Sequence, residues 1–290
     1  MDVFVRVVEL GGFSPAARAA NLTPSAVSKL ITRLEARLGV RLLNRSTRQL
    51  QLTPEGSVFY ERAARILADI EDAERTAGGG EQAVGRLRLS TSASYFNHIL
   101  APILPKFLAL YPLVTLDIVR TDAVVDLLAE RTDVAVRAGP LKTSSLVARK
   151  LGVTPLSIVA APAYLERFGT PRTISDLREH NRLGFGYARA IDGWTLRDKC
   201  ETTLVPVTGR IQVSDGEGLR QLALAGAGIA RLSAFTVRED LAARRLVPLL
   251  QELDTGETEA FHAVYVGQGG PLSSRVRALL DFLAEYGRVF

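Results

Sequence analysis

The chain runs to 290 residues, 47% of them apolar and 23% charged, with a formal net charge of +5. That length suits two or three domains and that apolar share suits a packed core, which sets aside a disordered or fibrous protein. The single cysteine, Cys200, excludes an intrachain disulfide and reads as a small buried hydrophobe; Asp2, Arg6 and Glu9 break up the N-terminal stretch, and no run spans a bilayer, so a cytoplasmic protein without a membrane partner is expected.

Charge is unevenly spread. Residues 1–56 hold eight Lys/Arg and four Asp/Glu, a net of +4. Six of those cations (Lys29, Arg33, Arg37, Arg41, Arg45, Arg48) fall within residues 29–48 beside one acid, Glu35. Residues 57–86 are net −2, from four cations and six acids, and the remainder is close to balanced. A basic head on a nearly neutral body predicts a polyanionic partner for the head alone.

Val3, Phe4, Val7 and Val8 share one face of a first helix, which Gly11 and Gly12 end. Ser14-Pro15 has the order of a cap followed by a first-turn proline, and opens a second helix with Ala16, Ala17, Ala19 and Ala20. Asn21-Leu22 makes a turn. Thr23 then caps a third helix, Pro24 takes its first position, and Gly39 follows its end. Val27, Leu30, Ile31, Leu34 and Leu38 form its apolar stripe, and Ser25, Ser28, Lys29, Thr32 and Arg33 an opposite face without an acid. Such a face is either simply solvated or lays small polar groups on base edges and cations on phosphates. Two short helices joined by a tight turn make the helix-turn-helix plan. Beyond Gly39, Arg41–Leu43 and Gln49–Leu52 read as short strands joined by Asn44–Arg48, whose arginines and hydroxyls suit phosphate or minor-groove contact.

The run GGFSPAARAANLTPSAVSKLITRLEARLGVRLLNRSTRQLQLTPEG resembles the N-terminal domain of LysR-type bacterial transcriptional regulators, densely across residues 3–56. The resemblance implies base contacts from Pro24, Ser25 and Lys29, and phosphate contacts from Ser14, Thr23, Ser28, Thr32, Arg33, Arg45 and Arg48. Members of that family usually carry several more residues ahead of the first helix.

Thr53-Pro54-Glu55-Gly56 opens a further helix. Phe59, Ala63, Ile66, Ile70, Ala73 and Ala77 then step along it by four, three, four, three and four, a heptad seam that points to a partner helix unless it packs on its own domain. Similar proteins pair this helix with its copy in a second subunit. Gly78–Gly80 and Gly85 read as a hinge.

Beyond residue 87 strand-like and helix-like stretches alternate: strands at 87–90, 114–119, 134–137, 156–160, 211–214, 229–232 and 263–266, and helices at 97–110, 124–130, 218–225 and 273–286. The alternation predicts α/β domains with mainly parallel sheets. The runs TDVAVRAGPLKTSSLVARKLG and PLSIVAAPAYLERFG resemble the effector domain of the same family, which is similar to periplasmic solute-binding proteins. The expected architecture is therefore α plus α/β. A winged helix-turn-helix (1–53), a linker helix (54–77) and a hinge (78–86) precede a two-lobed effector domain resembling type 2 periplasmic binding proteins. Its lobe I spans 87–161 and 267–290, and its lobe II spans 162–266. Ser92, Ser94 and Tyr95 at a helix start, and Gly139, Ser144, Ser145, Ser214 and Asp215 after strands, are the candidate effector contacts. Each is equally an ordinary turn residue. Arg120 and Arg137 suit a ligand carboxylate or a nearby acid, and Trp194 either caps the cleft or fills core.

His98, His180 and His262 lack metal-ligand spacing, and no G-x-S-x-G elbow or Walker loop occurs. An enzyme with a DNA-binding head therefore lacks a visible site, and a constitutive DNA-organising protein leaves the large body without a use. The expectation is a non-enzymatic, cofactor-free transcription regulator that binds a double-stranded operator as a homodimer or dimer of dimers. A small-molecule effector whose identity the sequence does not name modulates it, organic acids being the first class to screen, and contact with RNA polymerase is compatible with this plan.

Overall fold

The computed structural model describes residues 1–45, 50–77, 82–122, 127, 132–140, 146–187, 193–199, 201–267 and 272–290; for residues 45, 65, 69, 71–73 and 75–77 it describes the backbone. The chain divides into two units, Met1–Arg86 and Leu87–Phe290.

In the first unit, α1 (Asp2–Glu9), α2 (Phe13–Ala19) and α3 (Pro24–Leu38) are followed by β1 (Leu43–Arg45), β2 (Leu50–Leu52) and α4 (Pro54–Ala77). Phe4 and Val7 from α1, Ala16 and Ala17 from α2, and Val27, Ile31 and Leu34 from α3 close one core with Leu42, Leu43 and Ala63. The alanines of α2 allow the close helix crossing that their size suggested. That helix starts two residues earlier than expected: Gly12 precedes it, no side chain caps it, and Ser14 lies inside its first turn. The stripe on α3 is narrower than expected as well. Leu30 and Leu38 stay exposed, because the neighbouring helices cover only the Val27–Ile31–Leu34 line.

The second unit begins within β3 (Gly85–Thr91), followed by α5 (Ala93–Tyr95), which continues directly into a π-helical turn (Phe96–Leu100) and α6 (Ala101–Leu110). This helix begins at Ala93, ahead of the expected Asn97, because Ser92 caps it by accepting from the Tyr95 N–H (3.2 Å). Next come β4 (Val114–Arg120), β5 (Val134–Ala138), β6 (Leu146–Ala160), α7 (Pro162–Phe168), α8 (Ile174–Glu179), β7 (Gly184–Phe185), β8 (Trp194–Asp198) and β9 (Glu201–Val205). Then follow β10 (Gln212–Val213), α9 (Gly216–Leu224), β11 (Ala230–Ser233), α10 (Ala234–Ala242), β12 (Val247–Pro248), β13 (Thr258–Val266) and α11 (Ser274–Tyr286). The helix expected over 124–130 lies outside the described residues apart from buried Leu127.

The main sheet runs in the order β11-β6-β13-β5-β3-β4, with β12 also on β6. It is mixed, not mainly parallel as expected. β3 and β5 are parallel, but β13 is antiparallel to both β5 and β6, and β11 and β12 are antiparallel to β6. Alternation of strands with helices does not fix strand direction when a strand returns from a distant part of the chain, as β13 does.

β6 is three times the length expected because Gly152 and Pro155, which look like breaks, lie within it. Gly152 takes φ +141°, and a Cβ there would stand 2.2 Å from the Val289 carbonyl oxygen, so the C-terminal segment passes against bare backbone. β6 also changes partner along its length. Residues 146–155 pair with β13, and residues 156–159 pair with β11. β6 thus links the two sets of strands within its own length.

Candidate functional site

Helix α3 is built as its sequence dictates. Thr23 holds an extended backbone (φ −85°, ψ 151°) and its Oγ1 accepts from the Ala26 N–H (3.2 Å); Gly39 ends the helix at φ 71°, a conformation that suits glycine. With Val27, Ile31 and Leu34 turned inward, Pro24, Ser25, Lys29, Thr32 and Arg33 are exposed and Ser28 is half-buried. Thr23 and Ser25 hydroxyls lie 3.1 Å apart, and the Thr32 hydroxyl donates to the Ser28 carbonyl (3.0 Å). Ser14, on α2, is exposed too. A cap whose own hydroxyls are close-set at the positive end of a fifteen-residue helix, followed by two exposed cations, is a surface complementary to polyanionic backbone and base edges.

The wing is an antiparallel pair with Leu43 opposite Leu52 and Arg45 opposite Leu50, so Arg45 belongs to a strand and not to the loop expected for it. Arg48 lies outside the described residues, as does the rest of 46–49. The base of the wing is tied to α3 by Glu35, which sequence reasoning passed over. Its Oε1 accepts from the Leu42 N–H (2.8 Å) and the Leu43 N–H (3.2 Å). The signal was present: Glu35 is the one acid in a run of six cations. Thr53 completes the junction. Its hydroxyl donates to the Arg41 carbonyl (2.8 Å) and accepts from the Gly56 N–H (2.9 Å), which makes it the expected cap of α4.

The heptad seam on α4 divides. Phe59 meets Phe4 edge-on at 5.5 Å between ring centres, and Ala63 is 1% exposed in the head's own core. These two positions therefore pack at home and leave no surface for a second subunit at Ala63, a correction to the full seam. Ile66 and Ile70 are each 47% exposed, as is Val58, which lines one surface pocket with the exposed Leu38 and Val40. The side chains of Ala73 and Ala77 lie outside the description.

In the second unit the expected effector contacts separate into three sorts. Tyr95 is fully buried, its hydroxyl donates to the Gly287 carbonyl, and burial holds that hydroxyl well above its ordinary pKa. It is core, not a ligand contact, because its partner comes from the far end of the chain. Ser92, Ser94, Ser214 and Asp215 do converge. Ser94 Oγ would stand 2.8 Å from any Cβ at Gly216, and Asp215 caps α9 by accepting from the Gly218 N–H (2.7 Å). The Ser214 hydroxyl donates weakly to Asp215 (3.4 Å). Gly139, after β5, takes φ +85°. Ser144 and Ser145 lie outside the described residues. Asp122, which was not singled out, joins this group: its two carboxylate oxygens accept from the Ala93 and Gly216 N–H groups, each at 3.2 Å. Arg137 donates to the Ser90 hydroxyl (2.8 Å), and Arg120 stacks over Phe96 (5.4 Å). Trp194 is 5% exposed among Ile158, Tyr164, Leu177 and Leu249, so it fills core. His98 pairs with Glu217 (3.0 Å) and His180 with the Tyr164 hydroxyl (3.1 Å); no group of three metal-type ligands forms among the described residues. Nor is any described helix long and apolar enough to cross a membrane.

Comparison with known proteins gives this arrangement its class. Residues 1–57 match the bacterial regulatory helix-turn-helix protein family of the lysR type, and residues 80–288 match the LysR substrate binding domain. The chain belongs to the LysR family of DNA-binding transcriptional regulators, and its body is the family's effector-binding domain. Among its relatives, the HTH-type transcriptional regulator CrgA of Neisseria meningitidis serogroup C is 40% identical over 286 residues, covering 98% of this chain and 95% of that one. The HTH-type transcriptional activator AaeR of Escherichia coli K12 is 33% identical, covering 100% and 95%. The solved structure of Neisseria meningitidis CrgA superposes with a TM-score of 0.67 at 39% identity, over 99% of this chain and 97% of that one. Full-length AphB, the Vibrio cholerae virulence activator, superposes with a TM-score of 0.61 at 27% identity, covering 99% and 98%.

Proposed function

We propose that this regulator holds an operator through two paired heads and that a small-molecule effector in the cleft between its lobes sets the transcriptional output. The observation that carries the DNA reading is the capped α3 helix, whose outer face is exposed and free of acids. Pro24, Ser25 and Lys29 are assigned to base edges. Ser14, Thr23, Ser28, Thr32, Arg33, Arg45 and Arg48 are assigned to phosphates. Replacing Lys29 with alanine removes one base contact, so binding to the cognate operator weakens by about 1–3 kcal/mol while binding to unrelated DNA changes little. Operator selection followed by titration of both DNAs measures this, and unchanged selectivity refutes the assignment.

The subunits pair through the outward stripe of α4, with Val58, Ile66 and Ile70 its exposed apolar members and Ala73 and Ala77 its continuation; dimers then associate in pairs. Effector contacts are assigned to Ser92, Ser94, Gly139, Ser144, Ser145, Ser214 and Asp215, around the meeting of α5 and α9. An organic acid is the favoured class, since the Ser92, Ser94 and Ser214 hydroxyls gather there beside helix amides that already hold the Asp122 carboxylate. The protein works in the cytoplasm without a resident cofactor and without turnover, and its DNA-bound form acts on RNA polymerase. A thermal-shift screen of small organic acids on the full chain tests the effector; stabilisation by one chemical class, absent in a Ser94→Ala, Ser214→Ala double variant, supports the cleft.

A further inference from the structure

Two helices that open different halves of the main sheet meet at their amino ends. α5 follows β3, next to β5 in the β13-β5-β3-β4 half, and α9 precedes β11, which pairs only with the far end of β6. Their approach is close: Ser94 Oγ would stand 2.8 Å from a Cβ at Gly216, so only a very small residue fits there without movement. One side chain from a third element spans the junction. Asp122, just beyond β4, offers one carboxylate oxygen to the Ala93 N–H and the other to the Gly216 N–H, both at 3.2 Å. Each is the first residue of its helix, where the amide has no intrahelical acceptor. A second tie lies just along the same two helices, where His98 Nε2 stands 3.0 Å from Glu217 Oε2. Glu217 is itself held by Arg220 (2.7 Å), and Arg220 by the fully buried Asp240 (2.6 Å). The second tie is thus anchored deep in one half.

We propose that Asp122 is a latch between the lobes, one carboxylate fastening the first amides of α5 and α9 so that the cleft opens there only when it lets go. A single-helix cap would engage one amide; the use of both oxygens on amides from two halves of the sheet is what distinguishes a latch. The carboxylate sits there under tension. Burial pushes its pKa above the ordinary carboxylate value and Asp215 adds to the push, while the Gly216 and Ala93 amides and Arg137 pull the other way. An ion whose desolvation outweighs its hydrogen bonds is poised to be replaced. The proposal rests on the reading that the cleft between the lobes is the effector site, but its test needs no effector.

Residue-resolved hydrogen exchange on the full chain, with Asp122→Ala and Asp122→Asn beside the native protein, decides the matter. In Asp122→Ala the Ala93 and Gly216 amides both lose their acceptor, and exchange at both rises roughly three- to tenfold while the central strand amides of β5 keep their rates. Asp122→Asn retains one acceptor oxygen and speeds exchange at one of the two. A rise at Ala93 alone in the alanine variant makes Asp122 a simple cap and overturns the latch, as does no change at either amide in both variants. Should the alanine variant not fold, the asparagine variant carries the test: no change at Ala93 or Gly216 overturns the proposal. A latch that passes while no small molecule binds would leave the effector reading wrong and the latch standing.

Discussion

Glu35 shows how one residue joins recognition to architecture. Placed among cations, it is spent on the Leu42 and Leu43 amides and not on solvent. Charged acceptors of buried amides contribute more than neutral ones, so Glu35→Ala should destabilise the head by about 1–3 kcal/mol and loosen the wing, measured by denaturant midpoints and by protection of those two amides. Glu217 gives a pH-dependent counterpart. The His98 hydrogen bond first, then Gln221 and Arg220, hold its pKa down to about 2. A depressed carboxylate contributes stability that is fully present above its unfolded value and is lost as pH falls through its folded one. Between pH 4.5 and about 2, native stability should therefore fall more steeply than that of Glu217→Gln, as followed by thermal melts across that range. Asp122 has the opposite sign: its raised pKa makes the ionised form the less favoured one in the fold, so the melting temperature of Asp122→Asn relative to native should climb as pH rises past the carboxylate range. Glu35 stood out as the one acid among six cations, but its amide partners, like the partners of Glu217 and Asp122, were not legible beforehand. The caps Thr23, Ser92 and Asp215 act within three residues and can be read from spacing, whereas Tyr95 with Gly287 and His98 with Glu217 join residues more than a hundred positions apart.

At the scale of elements, local chemistry carried furthest where an element is bounded by its own residues. Thr23-Pro24 and Gly39 delimit α3, and Thr53-Pro54 opens α4, as the sequence suggests. Periodicity was a poorer guide to coverage. It gave α3 five apolar positions, and the neighbours bury three; it gave α4 one seam, and the head takes Phe59 and Ala63 from it. A helix reveals where its apolar face lies, not how far a neighbour extends along it. Gly56 shows the reverse, a residue whose purpose only the packing reveals. A Cβ there would stand 1.9 Å from the Leu42 carbonyl oxygen, which is also the acceptor of the Thr53 N–H (3.0 Å). Gly56→Ala should push α4 off the wing base and cost about 1–3 kcal/mol, read from chemical denaturation of the full chain; an alanine variant as stable as native would show that the junction yields freely.

For the whole molecule, the proposed pairing of two chains is tested on the exposed part of α4. Ile66 and Ile70 are half-exposed, so changing either to aspartate should leave each head folded while removing apolar burial worth about 1.5–3 kcal/mol from the subunit contact. Sedimentation should then show dimer association roughly tenfold weaker, with operator affinity falling in step. Within the body, the feature with the widest reach is the exposed Pro155, which lies opposite Thr258 where β6 leaves β13 and takes up β11. A proline offers no amide to a sheet, so the ladder is weakest at the place where its two halves join. Yet the strand itself is unbroken there. Halves joined by loops pivot freely, whereas halves that share β6 turn relative to each other only by twisting that strand. The effector-binding domain thus carries both sets of strand partners on one continuous length of backbone.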